Sequence, residues 1–449
     1  MAERERFEIK RVELLLPFLN VKKPIDGNVP KFLHGSSYSQ FLERQAFAGI
    51  IPCEGFGACW PPDSHHVTID VRMNRVSNFR AAFSLFVLSL TGLIVLLREH
   101  RPSFLRPDLH SNAYVSTASG VVSVVDLVKN ATVARVSVGP DVGELRAHPS
   151  EDEIWGVSPG GGSAWVLRAA TNQIVARIPL GGAPYTIDFS SDAKLAYTTA
   201  SSANAVVSID CASKQIVKRA NTGSQPLLAR ITPDGKSLLV VNHRDGTLGI
   251  HDAKTLAQRS TVPVIPNPDD VAVLPDSSVA YVMSRSEKRI SVVDLKRGAL
   301  LANLELAGKP SQMILKPDGG ELFVLSPESH GLQAINTWTH EVGDYIVLGS
   351  APTRAALLGD SGTLYISDAA AGTIAPLDIV SRKLSRPVPA GQSPGAMSFD
   401  PGEKPRLLLV VSEASGDLSV VRISSDRTTA LLTMIPVGDH PREIAVKLF

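Results

Sequence analysis

The residues able to do chemistry recur at a fixed phase. Two residues beyond a repeated proline position the chain reads Glu144, Thr186, Leu228, Asp270, Gln312, Arg354, Ala396 and Glu443. Carboxylates, an amide and a guanidinium at one phase suit the capture of a polar or charged ligand, because each offers directed hydrogen bonds. The residues that follow them in the same runs, such as Val271, Met313, Ala355 and Ile444, are apolar. Glu144, Asp270, Gln312, Arg354 and Glu443, with Arg442 beside the last, therefore form the first candidate ligand set. Asn242 and His243, followed by Arg244, form a second at a different loop. A third constellation lies four residues past the same proline, where successive units carry Arg146, Asp188 and Arg230. One carboxylate between two guanidinium groups is expected to be a structural ion ladder, since charges at an inner position are costly unless paired.

Other chemistries find little support. The Gly-x-Ser-x-Gly spacing occurs at 156–160 (GVSPG) and 391–395 (GQSPG), but a nucleophile elbow needs a helix after the turn and the repeat offers none, so no such elbow is expected. His148, His243, His251, His330, His340 and His440 share no phase, so neither zinc nor heme has an evident ligand set. Cys53 and Cys59 form a Cys-x5-Cys pair, a weak zinc signal, and Cys211 stands alone. Glu144, Asp270 and Glu443 leave a calcium- or manganese-dependent lactonase open without adding to it. No catalytic residue, metal ligand or cofactor is expected from the sequence. A net charge of +1 without a basic run gives no reason to expect nucleic acid.

These residues are positioned by a repeat. Asp126, Arg168, Asp210, Asp252, Asp294, Asn336 and Asp378 follow one another at 42 residues, and Arg422 arrives 44 later. A turn phase (Gly139, Gly181, Gly223, Ile265, Ala307, Gly349, Gly391, Gly438) and a proline phase from Pro184 to Pro441 keep step with it. Within a unit, VAVL, VAYVMS, ISVVDL and LLANLEL read as four strands separated by turn residues. Four-stranded sheets repeated without helices bury both faces only by stacking around an axis. The expected fold is all-β, a propeller of about eight four-stranded blades, with seven as the alternative. The segment REIAVKLF (442–449) matches only the first strand of a unit and is expected to supply the innermost strand of the first blade, although SFLRPDLHS (103–111) resembles a remnant of that strand. The acid ending each third strand is expected to cap the following turn.

Ala81–Leu97 is 17 residues without a charge, flanked by Arg80 and Arg98. It reads as a signal peptide or signal-anchor helix preceding the propeller. Met73 begins a stretch laid out like an export signal. The expected organisation is a poorly ordered or non-native extension at 1–72, the signal or anchor at 73–100, and the propeller at 101–449.

YVST (114–117), VSVVDL (122–127), YVMS (281–284), ISVVDL (290–295) and IPVGDHP (435–441) resemble the YVTN-repeat family of bacterial β-propellers over about 340 residues. Arg168 and Arg422 in place of the acid, and Trp155 and Leu239 in place of the tyrosine, depart from that pattern. The resemblance implies an exported or surface-associated protein, so the expected localisation is the bacterial envelope, periplasmic or extracellular. Loops of successive blades converge at a propeller's channel mouth, so an envelope partner or small ligand is expected on that face. The main expectation is an exported or membrane-anchored binding or scaffold protein rather than an enzyme. The alternative is a metal- or cofactor-dependent hydrolase or oxidoreductase with its site in the channel.

Overall fold

The computed structural model describes residues 111–359, 362–401 and 406–448. The chain falls into two units, Met1–Val95 and Leu96–Phe449, and the described residues belong to the second. Ala81–Leu97, the Cys53/Cys59 pair and Met73 lie outside them. Among the described residues no helix is long and apolar enough to cross a membrane.

Eight antiparallel sheets follow one another along the chain. Blade 1 joins Ser111–Thr117, Val121–Asp126 and Ala131–Ser137 to Pro441–Leu448, which pairs with Ser111–Thr117. The last described strand thus completes the first blade, in the register Ser111↔Leu448 to Thr117↔Pro441. Blades 2 to 8 occupy residues 145–179, 187–221, 226–263, 270–305, 312–347, 352–389 and 394–436. In blade 7 the fourth strand is interrupted between Lys383–Leu384 and Val388–Pro389. Pro376 in the facing strand and Pro387 in the gap both lack an N–H, so the ladder loses donors on both sides.

The period of two divides each blade between its neighbours. Eight hydrophobic clusters form, each drawing on two adjacent blades. Trp155, Val157 and Val166 of blade 2 meet Ile187, Val207 and Ile209 of blade 3, for example. Ala113 and Val115 of blade 1 meet Leu409, Val411 and Val420 of blade 8. The second and third strands are buried on both faces, whereas fourth strands such as Ala131–Ser137 alternate exposed and half-buried residues. Apolar seams therefore run all round the ring and provide its main cohesion.

Polar side chains fix the repeat. Asp126, Asp210, Asp252, Asp294, Asn336 and Asp378 each accept a hydrogen bond from the backbone N–H three residues on. The strand tyrosines reach across the seam: Tyr114, Tyr197 and Tyr281 donate to the carbonyls of Ala169, Ala253 and Thr337 in the next blade. The middle of the third strand ties the turn of the preceding blade. The Ser291 hydroxyl accepts from the Ile265 N–H, the Gln333 amide oxygen from Ala307 and the Ser419 hydroxyl from Gly391.

Candidate functional site

The innermost strands each bring a few residues to the axis. A cavity of about 620 Å³ is lined by residues from all eight blades, including Glu144, Thr186, Leu228, Asp270, Gln312, Arg354, Ala396 and Glu443. The whole phase singled out in the sequence thus meets at one place, together with Arg442. A second hollow of about 530 Å³ shares Arg285, Arg354, Arg442 and Glu443 with the first. A third, of about 590 Å³, lies off the axis between the outer strands of blades 7 and 8.

Several of these polar groups serve the ring itself. The Glu144 carboxylate accepts from Arg146 Nε at 2.8 Å and from the Ile187 N–H of the next blade at 3.1 Å. Gln312 exchanges two hydrogen bonds with the Ala355 backbone, at 2.8 and 3.2 Å. Its amide is engaged in joining blades 6 and 7, and little of it faces a ligand.

The same geometry holds the ion ladder. Asp188 Oδ1 lies 2.8 Å from Arg146 Nη1, and Oδ2 lies 3.7 Å from Arg230 Nη1. Asp188 also accepts from the Phe189 and Ile231 N–H groups, both at 3.1 Å. Burial alone lowers the affinity of the Arg146 guanidinium for its proton, but Glu144 and Asp188 outweigh it and hold the group above its ordinary value.

Asn242 and His243 do not join this set. Asn242 ends a strand, where the alternation turns its side chain into the seam. There its amide nitrogen donates to the Thr247 hydroxyl, and the buried amide oxygen has no hydrogen-bond partner. His243 is tied to the Pro268 carbonyl at 3.1 Å and lies 3.5 Å from Asp269. Asp269 lines the cavity and His243 does not.

Sequence reading missed Arg285, Asp269, Tyr185 and Met397, all of which line the cavity. Arg285 sits in a second-to-third strand loop, 42 residues after His243, so the repeat itself carried the signal. Four arginines (Arg230, Arg285, Arg354, Arg442) and four acids (Glu144, Asp269, Asp270, Glu443) thereby share one cavity. Glu144 is paired with Arg146, Arg230 with Asp188 and Arg442 with Asp141, and Asp269 lies 3.5 Å from the His243 ring. Arg285, Arg354, Asp270 and Glu443 have no ion pair within 4.0 Å among the described residues. Burial pushes the Asp270 carboxyl up, with Arg230 opposing, and pushes Glu443 up, with Arg354 opposing.

The family model of the cytochrome D1 heme domain matches residues 156–314. That is a match to most of blade 2, blades 3 to 5 and the start of blade 6. No curated protein sequence matches the chain. Among solved structures, dihydro-heme d1 dehydrogenase NirN in complex with DHE aligns with a TM-score of 0.63 at 17% identity, over 77% of both chains. Apo AztD from Citrobacter koseri aligns at 0.59 and 11% identity, over 76% of this chain and 98% of that one. A functionally unknown protein from Desulfotomaculum acetoxidans aligns at 0.53 and 16% identity, over 66% and 99%. At such identities the likeness establishes the propeller fold.

Proposed function

We propose that the propeller binds an anionic, acid-bearing cofactor or ligand of the tetrapyrrole class in its channel mouth. The observation that carries this reading is the convergence of four arginines on one axial cavity, two of them without an ion-pair partner among the described residues. Guanidinium groups hold carboxylates bidentately, and a channel wall limits competition from water. The heme-domain match and the NirN neighbour make a tetrapyrrole the preferred class. The residues fit its acid groups better than its metal. Among the described residues no His or Cys lines the cavity, and the iron-ligating types that do are Tyr185 and Met397. Arg285 and Arg354 would hold acid side groups, and a bound iron tetrapyrrole would supply one-electron chemistry. This reading favours the cofactor-dependent alternative over a plain scaffold. Within it, the chain is a YVTN-type envelope protein, periplasmic or extracellular, with Ala81–Leu97 as its export or anchoring segment and no nucleic-acid role.

The test is titration of the purified protein with hemin, followed by its visible absorption. A saturable spectral change is expected, with the apparent Kd raised at least tenfold in the Arg285→Ala/Arg354→Ala variant. Absence of saturable binding, or equal affinity in both proteins, would refute the reading. Carbonate extraction of native membranes tests the anchor, and recovery of the full-length chain wholly in the soluble fraction refutes it.

A further inference from the structure

The channel mouth holds a balance of charge that an anion would upset. Two guanidinium groups and two carboxylates there, Arg285, Arg354, Asp270 and Glu443, are not committed to ion pairs. They share the cavity without touching as pairs. Each carboxylate is half-buried, and each is served by cations at a distance. Glu443 faces Arg354, Arg285 and Arg146, with Glu144 as the opposing acid and Arg442 next in sequence. Asp270 faces Arg230 and Arg285, again with Glu144 opposing, and it also acts on Arg146.

We infer that the channel mouth takes up its anionic ligand together with a proton, which Glu443 or Asp270 receives. The inference rests on the anion-binding reading above. An anion that pairs with Arg354 and Arg285 offsets positive charge that favours the ionised form of the two carboxylates against burial. It also displaces water and adds a negative charge beside them. Both effects favour the neutral carboxylic acid. One proton passes from solvent to a carboxylate oxygen; no covalent bond to the ligand forms or breaks. The neutral acid then has an O–H to donate to the ligand, so a repulsive neighbour becomes a hydrogen-bond donor. Coupled acids share such a proton as a pair, so the uptake belongs to Asp270 and Glu443 together. The roles of the site's residues divide accordingly: the arginines supply attraction, and the two acids make the attraction pH-dependent.

The test is calorimetric titration of the full-length protein with hemin at pH 7, in PIPES and in bis-Tris. These buffers release different heats on giving up a proton. The observed enthalpy is expected to differ between them by an amount matching uptake of about one proton per hemin. In the Asp270→Asn/Glu443→Gln variant the difference should vanish, and hemin affinity at pH 8 should exceed that of the unmodified protein at least tenfold. Glu443→Gln alone, with at least half of the uptake lost, serves if the double variant does not fold. Hemin binding with no buffer dependence in the unmodified protein would overturn this inference and leave the anion-binding reading intact. Uptake unchanged in the variant would overturn it too. Absence of saturable binding would overturn both.

Discussion

Asp188→Ala tests how the inner ring is held. The carboxylate has four partners: Arg146 at 2.8 Å, Arg230 at 3.7 Å, and the N–H groups of Phe189 and Ile231 at 3.1 Å each. Breaking a buried ion pair costs about 3–5 kcal/mol. Here the cost is reduced, because Arg146 keeps Glu144 and the Arg146 and Arg230 side chains remain 32% and 24% exposed to channel solvent. Against that, each N–H left without an acceptor costs about 1–3 kcal/mol, less where water replaces the carboxylate. The balance gives a loss of about 3 kcal/mol. Asp188→Asn keeps an acceptor and should lose about half as much. Urea unfolding of the three proteins measures this, with m-values compared so that midpoints report stability alone. A double-mutant cycle with Arg230→Ala should give a coupling of about 0.5–1.5 kcal/mol. A loss under about 0.5 kcal/mol in Asp188→Ala would show that the ladder is an ornament of the channel wall and refute the reasoning.

Further expectations follow from other parts of the ring. Deleting Pro441–Leu448 strips six paired positions from blade 1 and exposes the edge of Ser111–Thr117; the shortened protein should aggregate and melt far lower, and an unchanged melting temperature would contradict strand closure. A Cβ on Gly156 would fall 2.1 Å from the Trp165 ring, so Gly156→Ala should lose about 1–3 kcal/mol, with altered tryptophan fluorescence; neutral stability would disprove the tight contact. His251 is fully buried, and burial holds its imidazole below the ordinary value. Its Nδ1 meets the Leu256 carbonyl, while Nε2 has no partner. Between that lowered value and about 6.5 the unfolded chain binds more protons, so stability present above pH 6.5 is lost as pH falls. The stability gap between the protein and a His251→Gln variant should therefore narrow from pH 7 to pH 5, and a constant or widening gap would refute the assignment.

The sequence made the ring legible because its period is carried by residues that the fold needs for separate reasons. The 42-residue acids cap turns, the tyrosines cross seams, and the inner phase converges on the axis only if eight units close. Asp188 between Arg146 and Arg230 was readable from charge order alone. What escaped was the partner of each polar group. Gln312 looks like a ligand-facing amide, but the neighbouring strand presents the Ala355 backbone at the right height and engages it. Asn242 looks like a loop residue, but strand alternation turns it into the seam. Arg285 escaped because it sits on a second-to-third strand loop, where the position 42 residues earlier is His243 and the charge changes type from blade to blade, and Asp269 escaped because it stands one residue before the inner phase.

The pairing of Ser111–Thr117 with Pro441–Leu448 has a consequence in time. The two partners are separated by 441 − 111 = 330 positions. At ribosomal rates of about 5–20 residues per second, roughly 15–65 s pass between the emergence of one and of the other. Throughout that interval the first blade presents an open edge of ladder donors and acceptors, and the other seams can form behind it in order. The nascent chain is thus a growing arc with one persistent sticky end. Holding that edge apart from other arcs is a task for whatever accompanies the chain until its closing strand arrives. Slow elongation or stalled transfer late in the sequence would harm this protein more than the same delay early on.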